Sequence, residues 1–521
     1  MSMYSPELKE VIRLSESYNL IPVARTLMAD METPIRVFRH FHKEEKAFLL
    51  ESVEGGAIWA RYSFIGSDPF LMIRGKNGVM EVEKNGEITR LEEQPIELVK
   101  SILADYTSPS IPELPPFTGG AIGFFGYDLL QYYEQLPAHR TDDLEMDDVH
   151  FMFCDQIIVF DHFKQQMKVI ANVHIAPGAD EATIAASYQH TCAKIDAMVE
   201  RLRKPVANDY AAAGAIPDEV EIGELKSNLT KEQFIDRVLK AKDYIRAGDI
   251  FQVVLSQRFH IETEIDPIQV YRVLRTTNPS PYMYYLKFDE EIIVGTSPEL
   301  LVKVDGDRVE TRPIAGTRPR GDTPEKDAAL EKELLADEKE RAEHLMLVDL
   351  GRNDIGRVAE FGSVHCDTFM DIERYSHVMH IVSNVSGQLR KDKDFFDAFL
   401  SCLPAGTVSG APKLRAMEII AELEQEARGA YAGAIGYLGF SGNLNTCITI
   451  RTIIFKHGKA YIQAGAGIVY DSVPESEYQE TVNKAMGSLR SIRLAEAMFK
   501  NDRESIQTEI NKDYYMSGET M

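Results

Sequence analysis

The stretch AYIQAGAGIVYDSVPESEYQETVNKAMGSLRSI, residues 460–492, contains both kinds of element that recur along this chain. Its first part, 460–471, is short, rich in strand-favouring residues and ends at Asp471, which is typical of a β-strand. From residue 475 onwards apolar residues recur at helical spacing, with Ala485, Met486 and Leu489 on one face. Strand-like and helix-like segments alternate in this way throughout the sequence. The pattern therefore predicts an α/β fold.

Two other segments show the same alternation with clear boundaries. The segment EIIVGTSPELLVKVDG, residues 291–306, is strand-like, whereas 230–249 has apolar residues at helical spacing. Thr230 and Gln233 form a possible capping box at the start of this helix, and Gly248 is a stop signal at its end. The spacing predicts an amphipathic helix with one buried face.

A polar, weakly periodic stretch at 203–229 predicts a linker because it is rich in Pro, Gly and small residues. It divides the chain into an N-terminal unit, 15–200, and a C-terminal unit, 230–495. The last segment, 501–521, lacks an apolar face and is interpreted as a tail.

One short pattern occurs on both sides of the linker. GAIGFFGY at 120–127 and GAIGYLGF at 433–440 both place glycines three apart with aromatic residues between them. Glycine at this spacing in a strand indicates close backbone approach. The similarity is either a coincidence of two glycine-rich strands or the trace of an old duplication.

The chain is strongly acidic: its 521 residues include 82 Asp and Glu against 57 Lys and Arg, a formal charge of −25. Such a charge repels nucleic acid and anionic lipid at long range, so neither is an expected partner. If the substrate is an anion, local cations must reverse the global field at the site.

The cysteines and the N-terminus favour a cytoplasmic protein. The five cysteines form no C-x-x-C pair, so neither a disulfide framework nor a thiolate zinc site is expected. Charges interrupt the first 20 residues, as they would not in a secretory signal. No apolar run approaches the roughly 20 residues of a membrane-spanning helix.

Two Glu-x-x-Glu pairs are candidate metal ligands: Glu340 with Glu343, and Glu477 with Glu480. Both pairs lie in helix-like segments, where residues i and i+3 share a face, and both adjoin apolar runs. Buried carboxylates are costly unless they are paired or metal-bound, and an all-oxygen set favours a hard cation such as Mg²⁺. The alternative is that these glutamates only face solvent.

Anion-binding features lie in the same half of the chain. The small-residue turn AGTVSGAPK at 405–413 runs into a helix, and QAGAGIVYD at 463–471 exposes backbone through its glycines. Arg451 is interpreted as a cation inside the strongly apolar strand TCITIRTIIF, and it is expected to bind either an internal carboxylate or an anionic ligand. Neither glycine-rich segment is a P-loop or a dinucleotide fingerprint.

Two side chains are candidates for proton transfer. Glu299, in VGTSPELLV, has apolar neighbours that would raise its pKa towards neutrality, as a general acid requires. His380, in RYSHVMHIVSNVSG, is flanked by apolar residues; it is either a satisfied core histidine or a catalytic imidazole.

Seven long motifs together resemble the chorismate-binding enzymes, and among them those that make anthranilate. The motifs are LLESVEGGAIWARYSFIG (49–66), NPSPYMYYL (278–286), GTSPELLV (295–302), RPIAGTRPRG (312–321), KERAEHLMLVDLGRND (339–354), GTVSGAPK (406–413) and IQAGAGIVYDSVPESEYQETVNKA (462–485). The resemblance covers roughly residues 15–495. It implies an α+β fold in which two large, mainly antiparallel sheets pack as a sandwich with helices outside.

The resemblance also implies roles for particular residues. Mg²⁺ would be held by Glu340, Glu343, Glu477 and Glu480. Chorismate would be bound by Gly316, Thr317, Thr407, Tyr431, Arg451, Gly465, Ala466, Gly467 and Lys484. The catalytic positions would be Glu299 as the acid, His380 in the elimination, and Gln252 where related isochorismate synthases carry a water-activating lysine.

The implied activity is a lyase reaction: Mg²⁺-dependent amination of chorismate by ammonia, then loss of pyruvate to give anthranilate, the first step of tryptophan biosynthesis. Aminodeoxychorismate synthases are the alternative, but they typically carry a lysine nucleophile where this chain has Ala315. Alanine cannot attack carbon, so direct amination is expected.

The last expectations from the resemblance concern regulation and partners. L-Tryptophan would inhibit by binding to Ser52, Pro281, Tyr282 and Met283, with Ser52 in the N-terminal unit. No cysteine lies in a G-x-C-x-G elbow of the glutaminase type, so a separate glutamine amidotransferase subunit would supply ammonia and form a hetero-oligomer. A non-catalytic tryptophan sensor is the alternative from another class.

Overall fold

The structure is a computed structural model of the chain. It describes residues 3–52, 61–139, 141–206, 220–223, 225–375 and 378–516, with side chains up to residue 499. The described strands, in chain order, are β1 (Leu20–Met28), β2 (Lys46–Glu51), β3 (Tyr62–Ser67), β4 (Leu71–Lys76), β5 (Val79–Lys84), β6 (Glu87–Glu92), β7 (Gly120–Phe125), β8 (Val149–Cys154), β9 (Gln156–Asp161), β10 (Gln166–His174), β11 (Lys226–Ser227), β12 (Gln252–Glu262), β13 (Tyr282–Phe288), β14 (Glu291–Ser297), β15 (Leu300–Asp305), β16 (Arg308–Thr311), β17 (Ile314–Pro319), β18 (His365–Arg374), β19 (Val378–Gln388), β20 (Gly410–Ala411), β21 (Ala434–Gly439), β22 (Leu444–Ile448), β23 (Thr452–Lys456) and β24 (Lys459–Ile468).

The described α-helices are α1 (Leu8–Leu14), α2 (Pro34–Phe38), α3 (Pro95–Ala104), α4 (Glu181–Leu202), α5 (Lys231–Ala247), α6 (Pro267–Thr277), α7 (Pro324–Ala336), α8 (Glu338–Gly356), α9 (Phe395–Cys402), α10 (Lys413–Leu423) and α11 (Pro474–Met516). Short 3₁₀ turns lie at Tyr127–Tyr132 and Gly406–Val408. Among the described helices, none combines the length and apolar character that crossing a bilayer requires.

The strands form two 12-stranded sheets in which neighbouring strands run antiparallel, as expected. The first sheet has the order β1-β10-β9-β3-β2-β13-β14-β23-β24-β12-β11, with β20 beside β12. The second has the order β17-β19-β16-β15-β22-β21-β7-β8-β4-β5-β6, with β18 beside β19. Their inner faces share one hydrophobic cluster, and helices cover the outer faces through two larger clusters. The predicted fold class, a sandwich of antiparallel sheets with outer helices, is confirmed.

The strand order supports a duplicated arrangement. The two similar glycine-rich segments form β7 and β21, which pair at the centre of the second sheet with Gly123 opposite Gly436. Outwards from this pair the order is β7, β8, β4, β5 on one side and β21, β22, β15, β16 on the other. In the first sheet, β2, β3, β9, β10, β1 correspond to β13, β14, β23, β24, β12. Each half of the chain therefore repeats one strand arrangement across both sheets.

Because each half contributes to both sheets, the predicted N-terminal and C-terminal units are joined by strand pairing. β2 pairs with β13, and β7 pairs with β21. Much of the predicted linker, residues 207–219 and 224, lies outside the described residues. Most of the predicted tail is helical, because α11 continues to Met516.

Local helix signals are confirmed in detail. Helix α5 begins after Thr230, whose side chain and Gln233 form the expected capping box, and it ends at Gly248 in the left-handed conformation. The two segments that carry the glutamate pairs are also helical, as α8 and the start of α11.

Two strand-like segments differ from the prediction because the chain changes sheets within them. Residues 291–306 form β14 in the first sheet and β15 in the second, with Glu299 at the crossing. Likewise, Arg451 lies between β22 in the second sheet and β23 in the first, so the interpretation of Arg451 as a residue inside a strand is wrong. Apolar composition continues across both crossings, which is why the sequence pattern did not reveal them.

Candidate functional site

One pocket of about 510 Å³ collects nearly all the predicted catalytic, substrate and metal residues. This main pocket is lined by Gln252, Glu299, Gly316, Thr317, Glu340, Glu343, His380, Thr407, Tyr431, Arg451, Gly465, Gly467, Glu477, Glu480 and Lys484. Ala466 is the exception: its side chain packs in the hydrophobic core. Strand alternation explains this, because residues 465 and 467 face the pocket while 466 faces away.

The pocket lies beside the two sheet crossings, and backbone hydrogen bonds join them. The backbone N–H of Ile448 donates to the carbonyl of Glu299 (3.0 Å), and that of Thr296 donates to the carbonyl of Arg451 (3.2 Å). Ser297 Oγ also donates to the carbonyl of Ile448 (2.6 Å). The acid candidate and the cation candidate are therefore held in register by the same backbone network.

Glu299 is a buried carboxyl group suited to proton donation. The residue is 8% exposed, and burial raises its pKa to about 8. Thr407 Oγ1 donates to its Oε1 (3.1 Å), and this bond together with the charges of Arg451 and Lys484 partly opposes the rise. The group is therefore mostly protonated at neutral pH, as a general acid must be.

Arg451 presents an unpaired cation to the pocket. Its backbone has φ +53°, a left-handed conformation that is costly for arginine and is often found at functional sites. Within the described residues, its guanidinium has no hydrogen-bond or ion-pair partner. Burial lowers its pKa from the usual value, while Tyr431, Glu480 and Glu299 oppose this electrostatically. An internal salt bridge, one of the two sequence interpretations, is thus not formed among the described residues, and the binding of an anionic ligand stays a prediction.

His380 has a defined tautomer. Its Nδ1 lies 3.1 Å from the carbonyl oxygen of Gly316 and 3.0 Å from Thr317 Oγ1. Because a carbonyl only accepts, Nδ1 carries the hydrogen and Nε2 keeps its lone pair. Burial lowers the pKa of His380, so the ring is neutral at neutral pH. A neutral imidazole with a free Nε2 lone pair can act as a base.

Two glycines in β24 bring the backbone close to the pocket. A Cβ at Gly465 would lie 2.8 Å from the hydroxyl of Tyr431, and one at Gly467 would lie 2.9 Å from Nε2 of Gln252. Lys484 Nζ donates to the carbonyl of Gly465 (2.9 Å), which fixes the ammonium against the same strand. Glycine is required here because any side chain would displace these polar groups.

Four carboxylates line the pocket, two from α8 and two from α11; Glu343 and Glu480 are exposed, and Glu340 and Glu477 are half-buried. Partial desolvation by the surrounding protein raises the pKa of the exposed Glu343, and the charges of Glu340 and Glu480 raise it further. Burial, and then the charge of Glu480, raise the pKa of Glu477. Mutual repulsion of this kind would be relieved by a bound cation.

The four glutamates suit a metal ion by their donor atoms, but they are not arranged around one metal position. Among the described residues, no group of three or more His, Cys, Asp or Glu side chains is placed so that it could hold a metal. Cations already contact two of the carboxylates: Arg318 Nη1 lies 3.3 Å from Glu340, and Lys484 Nζ lies 2.6 Å from Glu480. The donor set, all carboxylate oxygen, nevertheless suits Mg²⁺.

Several lining residues were not among the predicted sites. They are Val254, Pro298, Ile314, Lys339, Leu347, Val408, Ile450, Gln463, Ala464, Val469 and Ser472. Gln463 is two residues before Gly465 in the same strand, so strand alternation could have found it. Lys339 lies in a run of charged residues and carried no distinguishing signal. Ala315, which replaces the lysine nucleophile of aminodeoxychorismate synthases, also lies in the pocket wall.

The four residues predicted to bind tryptophan share a different cavity, of about 210 Å³, between the two sheets. This inter-sheet cavity is lined by Ser52, Pro281, Tyr282 and Met283 and by aromatic residues that include Phe64 and Tyr437. Its polar groups include Glu51, which accepts hydrogen bonds from Tyr271 (2.7 Å) and Arg275 (3.1 Å) through Oε2. Glu51 Oε1 is buried, and no residue that the structure describes donates a hydrogen bond to it.

Comparisons with known proteins show which family the chain resembles. The family model described as chorismate binding enzyme matches residues 45–490. Anthranilate synthase component 1 of Acetivibrio thermocellus is 54% identical over 494 residues, covering 95% of this chain and 99% of that protein. The same component of Aquifex aeolicus is 46% identical, covering 94% and 98% respectively.

Among solved structures, anthranilate synthase component I from Streptococcus pneumoniae matches with a TM-score of 0.71 and 42% identity, covering 84% of this chain and 94% of that one. The family model spans most of the chain, and the two relatives just named are similar over nearly their whole length. The chain is therefore an enzyme of the chorismate-binding family and belongs to its anthranilate synthase component 1 branch.

Proposed function

We propose that this chain aminates chorismate with ammonia and then eliminates pyruvate to release anthranilate, the first step of tryptophan biosynthesis. The observation that carries the proposal is the main pocket, in which a protonated acid (Glu299), an unpaired cation (Arg451) and a neutral imidazole (His380) are brought together. Each of these groups corresponds to one requirement of the two-step reaction.

The amination step requires an acid over the 4-hydroxyl of the ring. The nitrogen lone pair of ammonia forms the bond to C2, the ring double bonds shift, and the C4–O bond breaks. Glu299 gives its proton to the departing oxygen, which leaves as water. The raised pKa of Glu299 supports this role because the carboxyl still holds its proton at the pH where ammonia is reactive.

The elimination step requires a base near C2. His380 Nε2 removes the C2 proton, and the C3–O bond breaks as the ring becomes aromatic. The enolpyruvate that leaves takes up one proton and becomes pyruvate. The hydrogen bond from Nδ1 to the carbonyl of Gly316 supports this role, since it orients the ring and leaves the lone pair on Nε2.

The two carboxylates of chorismate require cations in an acidic protein. Arg451 and Lys484 supply two, and the backbone beside Gly465 and Gly467 allows close approach. Mg²⁺ would be held by Glu340, Glu343, Glu477 and Glu480, some through water. When bound, it would supply positive charge for the ring carboxylate.

The choice of nucleophile follows from two pocket residues. Gln252 cannot act as a base to activate water, and Ala315 cannot form a covalent bond to C2. Both are compatible with ammonia, which needs no activation. The same-family alternative, aminodeoxychorismate synthase, would give a product that retains the enolpyruvyl group.

We also propose feedback inhibition by L-tryptophan at the inter-sheet cavity. Its aromatic lining suits an indole, and the free Oε1 of Glu51 suits an α-ammonium group. The cavity is lined by residues of β15, which begins directly after Glu299, and of β13, which pairs with β14, the strand that ends just before Glu299. These strands supply a physical connection to the main pocket.

The partner and the location complete the proposal. A glutamine amidotransferase subunit would supply ammonia, because the buried or half-buried cysteines of this chain lack a nucleophile elbow and burial raises the pKa of Cys366 and Cys402. Five free cysteines are typical of the reducing cytoplasm.

The deciding experiment incubates the purified chain with chorismate, ammonium and Mg²⁺ and follows anthranilate fluorescence and pyruvate, with and without EDTA. Equimolar anthranilate and pyruvate support the proposal. An aminated product that retains the enolpyruvyl group would instead identify the aminodeoxychorismate alternative, and no turnover of chorismate would favour a sensor.

A further inference from the structure

A second, smaller cavity of about 40 Å³ lies behind Glu299, on the side away from the main pocket. Three residues line both spaces and so form the wall between them: Glu299, Leu347 and Thr407. This rear cavity is also lined by Thr311, Gly351, Asp354 and Cys402.

The rear cavity contains a second buried carboxylate. Asp354, 6% exposed, lies 3.0 Å from Lys413 Nζ. Lys413 is itself held by the carbonyl oxygens of Ser401 (3.1 Å) and Cys402 (3.2 Å). Burial raises the pKa of Asp354, while Lys413 and the charge of Arg357 oppose the rise. This buried pair has no role in the reaction described above.

Glu299 needs a source of protons. It loses one to the leaving hydroxyl in every amination, and its pocket side is then covered by the substrate. Its carboxyl is buried, so direct exchange with bulk water is slow. A buried water needs roughly 10–15 Å³ and two to four polar partners. The rear cavity therefore has room for about three waters, and Glu299, Thr407 and Asp354 can bind them.

We propose that water in the rear cavity returns a proton to Glu299 after each amination, and that the Asp354–Lys413 pair is the inlet of this relay. The inference rests on the proposed function, in which Glu299 is the acid. The Asp354 carboxylate, held by its ion pair with Lys413, takes up a proton from water in the rear cavity, which is partly open to solvent, and passes it through that water to the Glu299 carboxylate. The proton lost by the new ammonium at C2 leaves on the pocket side, so the cycle balances.

The competing route is proton return within the main pocket, from the new ammonium directly to Glu299. Arg451 and Lys484 are the cationic side chains that act on Glu299 from that side. The two routes differ in one measurable respect. If the rear relay operates, impairing it leaves the first turnover intact, since Glu299 starts protonated, and slows only the later ones.

The test uses rapid quench with saturating chorismate and ammonia and compares the rate of the first turnover with the steady-state rate. The amounts of aminated intermediate and anthranilate are added together, so that every amination event is counted. Asp354→Asn is expected to keep the wild-type first-turnover rate and to lose about tenfold or more in the steady state, with a burst of one product per site. Its steady-state solvent deuterium isotope effect should exceed that of the wild type, which a purely structural role would not cause.

A second variant tests the relay even if Asp354→Asn fails to fold. Gly351→Ala adds a methyl to the cavity wall, where the nearest atom is Thr311 Cγ2 at 3.2 Å, without removing a polar group. Its matched control is Gly356→Ala in the same helix, where a Cβ meets nothing within 4 Å and which does not line the cavity. The relay predicts a burst of product in the first turnover for Gly351→Ala, whereas Gly356→Ala should show the same time course as the wild type.

Equal slowing of both phases in Asp354→Asn and Gly351→Ala, or no slowing in either, would overturn the relay. Failure of the proposed function would look different, because Glu299→Gln would then keep the wild-type first-turnover rate. A slow first turnover in Glu299→Gln with unchanged kinetics in both relay variants would retain Glu299 as the acid and reject the rear relay alone.

Discussion

Thr407 Oγ1 donates a hydrogen bond to Glu299 Oε1 across 3.1 Å, and these two side chains form part of the wall between the main pocket and the rear cavity. The bond stabilises the ionised form of Glu299 and so lowers its pKa, against the larger effect of burial that raises it to about 8. Thr407 therefore tunes the acid as well as lining the pocket.

Replacing Thr407 by valine removes the donor while keeping the shape of the side chain. The pKa of Glu299 should rise, because its carboxylate loses a hydrogen bond. Since the protonated form is the active one, activity is lost as pH rises through this pKa. The alkaline limb of the kcat/KM profile should accordingly move to higher pH in Thr407→Val and remain near the wild-type position in Thr407→Ser. A shift to lower pH would contradict the assignment of Glu299 as the acid.

Burial of Glu299 also has a consequence for stability. The unfolded carboxyl ionises near pH 4.5, whereas the folded one ionises near pH 8, so between these values the folded state binds more protons. Stability contributed by this group is therefore greatest at low pH and falls as pH rises from about 4.5 to 8. Relative to glutamine at this position, the cost at pH 7 is about 3 kcal/mol at most.

We expect Glu299→Gln to unfold at higher denaturant concentration than the wild type at pH 8 and at nearly the same concentration at pH 5. The measurement is a pair of urea titrations at each pH. The same variant should lose about 10²- to 10⁴-fold in kcat, the usual contribution of a general acid. If Glu299→Gln is inactive but has the same stability as the wild type at pH 5 and at pH 8, Glu299 is not buried as a neutral acid.

Features encoded by neighbouring residues could be predicted from the sequence. Helix α5 follows from its capping box and terminal glycine, and α8 and α11 follow from their apolar spacing. The placement of the glutamate pairs beside each other depended on the family resemblance, since i and i+3 spacing specifies one helix face but not which face a second helix meets.

Features that depend on long-range pairing could not be predicted. Residues 291–306 are uniformly strand-like, yet the chain changes sheets at Glu299. The crossing is specified by hydrogen bonds to Ile448, about 150 residues away, which leave no local trace in the sequence. For Ala466 the opposite holds, because strand alternation alone would have assigned its side chain to the core.

Arg451 should determine the affinity for chorismate. Its guanidinium has no partner among the described side chains, so the substrate would be its counter-ion. A hydrogen bond to a charged group contributes roughly 1.5–3 kcal/mol, so Arg451→Met should raise KM for chorismate by about 10- to 100-fold. Arg451→Lys should recover part of this loss, since it restores charge but not the paired geometry. KM values from initial rates check this; an unchanged KM in Arg451→Met would place the substrate elsewhere.

Glu343 should determine the response to Mg²⁺. Replacing it by glutamine removes one carboxylate from a cluster whose members raise each other's pKa. We expect the Mg²⁺ concentration for half-maximal activity to rise about tenfold or more in Glu343→Gln. Glu338→Gln is the matched control, because Glu338 is exposed on the same helix and does not line the pocket. Equal Mg²⁺ responses in the two variants, or wild-type activity in EDTA, would remove the metal from the proposal.

Glu51 should determine inhibition by tryptophan without affecting catalysis. Its Oε2 binds Tyr271 and Arg275, while Oε1 has no partner in the inter-sheet cavity, where an α-ammonium group would neutralise it. Glu51→Gln keeps the size of the side chain and an acceptor oxygen but loses the charge. We expect the tryptophan concentration for half-inhibition to rise about tenfold or more, with kcat in the absence of tryptophan unchanged. Glu113→Gln, an exposed carboxylate outside this cavity, serves as the control. The measurement is a titration of initial rates with tryptophan. Superimposable inhibition curves for wild type and Glu51→Gln would mean that other residues recognise the ammonium group. A wild-type rate that does not change with tryptophan would rule out feedback inhibition itself.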